Sequence, residues 1–145
     1  MYFVDREKIE SMLQYLEVQI HLFRGTEQWS TPLEKAALER LCQMMIESIL
    51  DVGNSMIDGF IMRDPGSYED IIDILIDEKV IESRTGDGLK VLILHRKTLV
   101  QDYLEVSHQK LVEEFSQHLH DLELFSTNVR DYLANELGPV SAFKN

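Results

Sequence analysis

Residues 31–60 restrict the fold of this 145-residue chain more than any other stretch. Thr31 can cap a helix, Pro32 suits its first position, and Glu34 can complete a capping box by reaching back to the Thr31 backbone. The apolar residues that follow recur at helical spacing, and no strand-like alternation interrupts them. They are Leu38, Leu41, Met45, Ile49, Val52, Met56 and Phe60. The stretch therefore predicts one long helix with a continuous buried side.

The rest of the chain shows the same helical period between turn signals. Helices are expected over residues 5–23, 67–79, 89–105 and 107–137, each with its own apolar stripe. Residues 83–88 contain two glycines and predict a loop. Because connections are short and no strand pattern occurs, we expect an all-α, up-and-down bundle of about five helices, forming a single domain over residues 1–145.

Composition limits the classes of partner that this chain can bind. It carries 26 acidic against 14 basic residues, a net charge of −12, which disfavours broad electrostatic capture of DNA or RNA. One local basic patch remains, at Lys90, His95, Arg96 and Lys97. The single cysteine, Cys42, excludes an internal disulfide, and no apolar run reaches the length of a membrane span. We expect a cytoplasmic protein that binds neither membranes nor DNA.

The predicted helix 89–105 collects polar side chains among apolar neighbours. Arg96 and Tyr103 are seven residues apart, which places them about 20° apart on one helical face. Gln101 would point roughly 140° away from Arg96. A guanidinium and a phenol on one stripe favour a small polar site rather than ordinary core.

A second polar stripe runs along the long helix. Glu47, Asp51, Asn54 and Asp58 follow one another at helical spacing. This pattern is typical of a solvated face. Alternatively, the stripe meets Arg96 across the bundle or across a dimer and holds the guanidinium through a carboxylate.

The remaining motifs give no support for a metal or cofactor site. His118 and His120 are two residues apart and would point about 160° away from each other on a helix, so they cannot share one metal ion. Neither His21 nor His108 has ligands at metal-site spacing nearby. No glycine-rich phosphate loop and no hydrolase triad pattern is present, and we expect no cofactor.

Three segments make the chain resemble the HepT-like branch of the HEPN superfamily of small helical bacterial proteins. They are the second helix from Ala37 to Asn54, the block from Tyr68 to Ile81, and the spacing of Arg96 and Tyr103, which matches the family motif of arginine, four residues, histidine, one residue and tyrosine. The resemblance covers nearly the whole chain. It implies a HEPN-like homodimer with the motif in a cleft between the two copies.

The resemblance also implies an activity and a partner. HepT-like proteins cleave RNA without a metal, so Arg96 would bind the scissile phosphate. In many members a nucleotidyltransferase of the MNT type acts as antitoxin and attaches AMP units to the motif tyrosine. By position, Tyr103 would be that AMP acceptor.

The chain departs from the motif at residue 101, where Gln101 replaces the histidine. A glutamine amide donates and accepts hydrogen bonds but does not titrate near neutral pH, so it cannot act as general acid or base. His95 could substitute only if it faced the same site. Three hypotheses follow: a weakened RNase-type toxin, a catalytically inactive nucleotide- or protein-binding homodimer, and a purely structural helical dimer.

Overall fold

The computed structural model describes residues 2–138, and every regular element within that range is helical. The helices are α1 (Arg6–Arg24), α2 (Pro32–Gly59), α3 (Tyr68–Asp77), α4 (Ser83–Ile93), α5 (Arg96–Val100), a 3₁₀ turn (Tyr103–Glu105), α6 (His108–Gln117) and α7 (Leu119–Leu137). The predicted all-α class is confirmed. The described range has more helices than the expected five, because two predicted helices are interrupted. Residue 1 and residues 139–145 of the predicted domain lie outside the described range.

The long helix α2 is the element around which the others pack. Its predicted start is confirmed: the Glu34 N–H donates to Thr31 Oγ1 at 3.1 Å, and Glu34 Oε1 accepts from the Thr31 N–H at 2.9 Å. Helices α1, α3, α5 and α6 all contact α2. Cys42 is fully buried there, as expected of a core residue, and burial raises the pKa of its thiol. None of the described helices is long and apolar enough to cross a membrane.

The prediction of a loop over residues 83–88 is wrong, because these residues form the first half of α4. Its two glycines allow close helix packing instead of ending the helix. A Cβ atom on Gly86 would collide with the Ile76 side chain of α3, and one on Gly88 would collide with Asp121 of α7. The absence of a side chain therefore lets α4 approach both neighbours closely.

The last predicted helix, 107–137, is divided at His118. There the backbone adopts φ −108° and ψ 16°, so α6 ends and α7 begins with a change of direction. His118 Nδ1 lies 3.0 Å from Asp121 Oδ2 in the first turn of α7. The division lets α6 pack on α2 and α4 while α7 packs on α1 and α4.

Substitution of Gly88 tests this packing. Gly88→Ala should lower the free energy of unfolding by about 1–2 kcal/mol, because overpacking against His118 and Asp121 outweighs the usual gain of Ala over Gly in a helix. Urea denaturation measures the change. Gly66→Ala is the control, since its new Cβ would come no closer than 3.7 Å to its nearest neighbour, and it should change stability by less than about 0.5 kcal/mol. Unchanged stability of Gly88→Ala would contradict the close packing of α4 on α7.

Candidate functional site

The segment from Leu94 to Glu105 is not the single helix that its apolar pattern predicts. Helix α4 ends at Ile93, the five-residue helix α5 follows, and Tyr103 begins a separate 3₁₀ turn. The backbone N–H groups of Gln101 and Asp102 both donate to the Lys97 carbonyl, at 2.8 and 3.0 Å. This closing turn is typical of a helix C-terminus and ends α5 before Tyr103. The predicted 20° relation between Arg96 and Tyr103 is therefore wrong.

Arg96 is held by side chains from two other helices. Its Nε donates to Glu47 Oε1 of α2 at 2.6 Å, and both side chains are about three-quarters buried. Its guanidinium carbon lies 4.4 Å from the ring centroid of Tyr68, the first residue of α3. Within the described range, Nη1 and Nη2 of Arg96 have no hydrogen-bond partner. The guanidinium is thus oriented by protein contacts that leave its outer donors available to an anion.

Of the predicted polar stripe on α2, only Glu47 contacts Arg96. The contact is within one chain and runs through a single hydrogen bond rather than a two-pronged fork. Asp51, Asn54 and Asp58 are exposed. The two interpretations of the stripe thus apply to different residues: one member orients the arginine, and the other three form a solvated face.

A pocket of about 240 Å³ brings Arg96 and Gln101 together. The predicted helix had placed them on different faces, and the end of α5 removes that separation. The lining residues are Ser67, Tyr68, Glu69, Ile93, Leu94, Arg96, Lys97 and Gln101. Tyr103 does not line this pocket, and its side chain is 64% exposed. In a single chain, therefore, the arginine and the glutamine share a site, and the tyrosine lies outside it.

Electrostatics near Arg96 extend to Asp51, one turn along α2 from Glu47. Partial burial raises the pKa of Asp51, and the Glu47 carboxylate raises it further, while Lys8 and Arg96 oppose the shift. The negative charge of Glu47 thus affects two neighbours: it attracts the Arg96 guanidinium, and it disfavours ionisation of the Asp51 carboxyl group.

His95 faces a different cleft from that of Arg96. Its Nε2 lies 2.6 Å from Glu114 Oε1 of α6, and its ring packs at 5.9 Å from Phe115. The cleft on this side measures about 490 Å³ and is lined by His95 but not by Arg96. His95 is therefore paired with a carboxylate away from the Arg96 pocket, and this geometry argues against its taking over the role of the missing motif histidine.

Two further histidines are each paired with one carboxylate. His108 Nε2 lies 2.7 Å from Glu39 Oε2, and His118 pairs with Asp121. Within residues 2–138, no group of three or more His, Cys, Asp or Glu side chains could hold a metal ion. The described residues thus provide no candidate metal centre.

Tyr68 is the pocket residue that sequence reasoning missed. It follows the helix cap Ser67, on a helix whose apolar positions Ile71, Ile72 and Leu75 are buried. Tyr68 is 48% exposed and lines the Arg96 pocket instead of packing in the core. By helical spacing Tyr68 lies on the same stripe as these apolar residues, so the sequence pattern predicted a core position and gave no signal of a site.

Comparisons with known proteins agree with this architecture. The model of the "Ribonuclease HepT-like" family matches residues 6–129. A Bacillus subtilis (strain 168) protein named "Putative RNase YutE" is 54% identical over 144 residues, covering 99% of this chain and all of the relative. The solved structure of YutE, described as a cytosolic protein of unknown function, superposes with a TM-score of 0.95 at 53% identity, over 99% of this chain and 100% of that one.

A more distant solved structure shares the fold. It is the tri-AMPylated HEPN toxin of Shewanella oneidensis in complex with an MNT antitoxin. It has a TM-score of 0.75 at 20% identity, covering 85% of this chain and 96% of the toxin.

The influence of Glu47 on Asp51 can be measured directly. Glu47→Gln should lower the pKa of Asp51 towards its ordinary value of 3.8, because it removes the neighbouring negative charge that raises the pKa. Carboxyl-carbon NMR across an acid titration measures this pKa. Glu39→Gln is the matched control, since Glu39 lies on α2 but pairs with His108, and it should leave the Asp51 titration unchanged. An unchanged Asp51 pKa in Glu47→Gln would contradict the coupling.

Proposed function

This chain belongs to the HepT-like ribonuclease family, and on that premise we propose that it is the RNase-type toxin component of a toxin–antitoxin pair. The observation that carries the proposal is the Arg96 guanidinium, oriented by Glu47 and Tyr68, in a pocket that also contains Gln101 and Lys97. An arginine with available outer donors suits recognition of a phosphate by two hydrogen bonds. The relative YutE is described as cytosolic, which supports a cytoplasmic location for this chain.

The proposed reaction is metal-independent cleavage of an RNA strand. The ribose 2′-oxygen attacks the adjacent phosphorus and loses its proton, the bond from phosphorus to the 5′-oxygen breaks, and the 5′-oxygen takes up a proton from water, which leaves a 2′,3′-cyclic phosphate and a 5′-hydroxyl. Arg96 binds the phosphate and stabilises the charge that develops on its oxygens. Gln101 can orient the ribose or the phosphate but cannot accept the proton, so water must do so. Loss of a general base typically costs about 10²–10⁴ in rate, and we expect correspondingly slow cleavage.

A second candidate is a catalytically inactive homodimer that binds a nucleotide or a protein. Gln101 supports it, because the pocket lacks a titratable group at the motif position. The net charge of −12 supports it as well, since non-specific capture of long RNA depends on an excess of cations. In this case the Arg96 pocket would bind its ligand but would not catalyse RNA cleavage.

A homodimer is part of both candidates. Exposed apolar side chains cluster on the segment that carries the pocket: Leu94, Val100, Tyr103 and Leu104. Leu104 is 91% exposed, which is unfavourable for a surface leucine unless another surface covers it. We propose a second copy of this chain as the cover. Such an arrangement would bring the exposed Tyr103 of one chain towards the Arg96 pocket of the other.

The proposed partner is an MNT-type nucleotidyltransferase acting as antitoxin. The Shewanella oneidensis toxin is tri-AMPylated and bound to such a partner. Here the acceptor would be Tyr103, whose exposed side chain an enzyme can reach. Its phenolic oxygen would attack the α-phosphorus of ATP, releasing pyrophosphate and leaving AMP on the ring. The bulk and negative charge of AMP beside the dimer cleft would then oppose entry of RNA.

Cleavage assays test the proposed reaction. Purified wild-type protein incubated with single-stranded RNA should give slow cleavage that persists in EDTA, and Arg96→Ala should abolish it because the phosphate loses its only oriented arginine. Arg24→Ala is the control: it removes the same charge, and Arg24 binds the exposed Glu123 outside the pocket. Intact RNA with high concentrations of wild-type protein would overturn the RNase assignment.

Restoring the motif histidine separates the two candidates. Gln101→His should increase the cleavage rate by about 10²–10⁴, with a rate that rises with pH as the imidazole loses its proton. If wild-type protein is inactive and Gln101→His cleaves RNA, the native protein is the binding homodimer. No gain in Gln101→His would contradict the role assigned to this position.

The proposed dimer has its own test. Leu104→Glu should convert the dimer to monomer in analytical ultracentrifugation, because a charge replaces an apolar side chain at the centre of the proposed interface. Leu33→Glu is the matched control, since Leu33 is 81% exposed at the start of α2 and outside this surface. A wild-type monomer, or a dimer insensitive to Leu104→Glu, would contradict the interface.

A further inference from the structure

Tyr68 is only half-buried, although it lies on the apolar stripe of α3. It lies at the first turn of α3 with nearly half of its surface exposed, whereas Ile71 and Ile72 on the same helix are buried. Among the described residues, no other aromatic ring stacks on it. The guanidinium carbon of Arg96 lies over the Tyr68 ring, 4.4 Å from the ring centroid. The ring therefore belongs to the site chemically as well as spatially.

The pocket places this ring beside groups that recognise a nucleotide. Arg96 and Lys97 supply cationic donors, Gln101 supplies an amide, and the Tyr68 ring forms part of the wall. Exposed aromatic rings next to cations are the usual platform on which proteins stack unpaired bases. The pocket volume of about 240 Å³ lies below the roughly 300–1,000 Å³ of sites that enclose larger ligands, which suits a single base or phosphate.

The charge of the chain favours such a platform. With 26 acids against 14 bases, electrostatic attraction along a whole RNA strand is disfavoured. Stacking does not depend on net charge, because every base has a planar aromatic face. The Arg96 guanidinium covers one face of the Tyr68 ring, so a base would stack on the opposite face, beside the phosphate that the arginine holds.

We propose that Tyr68 is the base-stacking residue of this site, and that the substrate class is single-stranded RNA with an unpaired base next to the phosphate bound by Arg96. The inference rests on the proposed RNA-binding function and adds the substrate class to it. A duplex is a poor ligand, since its bases remain stacked and paired and cannot reach the ring. Tyr68 acts on binding, and the phosphate contact remains with Arg96.

The experiment compares two non-cleavable ligands of equal length. One is a fluorescent single-stranded 2′-O-methyl oligoadenylate, and the other is the same backbone without bases. The 2′-O-methyl group removes the attacking hydroxyl, so binding is measured by fluorescence anisotropy without cleavage. The variants are Tyr68→Leu, which removes the ring, and Tyr68→Phe, which keeps it. Tyr15→Leu is the matched control, because Tyr15 is an exposed tyrosine on α1 outside the pocket.

Tyr68→Leu should weaken binding of the oligoadenylate by about 5- to 150-fold, the range typical of losing one base–aromatic stack. It should leave binding of the baseless backbone unchanged. Tyr68→Phe and Tyr15→Leu should bind both ligands as the wild type does, and duplex RNA should bind more weakly than the single strand. A purely structural role, in which Tyr68 only orients Arg96, would weaken both ligands equally.

The failures are distinguishable. If wild-type protein binds the oligoadenylate and Tyr68→Leu binds it equally well, the stacking proposal is overturned while RNA binding stands. Equal loss for the oligoadenylate and the baseless backbone also overturns it and assigns Tyr68 a positioning role. If wild-type protein binds neither ligand, the proposed function fails and the stacking inference fails with it. Circular dichroism of each variant verifies that α3 remains folded.

Discussion

The hydrogen-bonded ion pair between Arg96 and Glu47 holds the shortest helix of the bundle in place, and the candidate site depends on it. Helix α5 has five residues, far fewer than an isolated helix needs for stability in water. Its position therefore comes from contacts with other helices. Arg96 binds Glu47 on α2, and the preceding residue, His95, binds Glu114 on α6. Consecutive side chains thus attach the segment to two different helices.

The helical class and the long helix α2 could be predicted from sequence, because their signals are local. A capping box and a stripe of apolar residues refer only to neighbours along the chain. The interruptions at Leu94 and His118 could not be predicted in this way. The apolar period continues through both positions, and different helices are contacted on the two sides of His118. The helix that begins at Ser83 was not predicted, because a glycine in the sequence can mark either a loop or a close contact between helices. Gly86 lies at such a contact, against Ile76.

The site was predictable in its residues more than in its geometry. Arg96 was identified as its centre, and contact with the polar stripe of α2 was one of two alternatives; of that stripe, Glu47 makes the contact. Gln101 was expected on another face, yet it shares the pocket because α5 ends there. Tyr68 carries no motif, so only the folded chain brings its ring to the guanidinium. The angle between two side chains can be predicted from their spacing only while the helix between them continues.

Glutamine at residue 101 keeps the hydrogen-bonding capacity of a histidine but cannot transfer a proton near neutral pH. Neutral histidine and glutamine are both uncharged and both donate and accept hydrogen bonds, so exchanging them changes neither the charge of the pocket nor its capacity to hold a phosphate or ribose. Only histidine changes protonation near neutral pH. Arg96, Glu47 and Tyr68 do not depend on that titration. In the proposed RNase, binding can therefore persist while proton transfer slows, and the rate of cleavage would be a poor measure of how tightly the site binds its ligand.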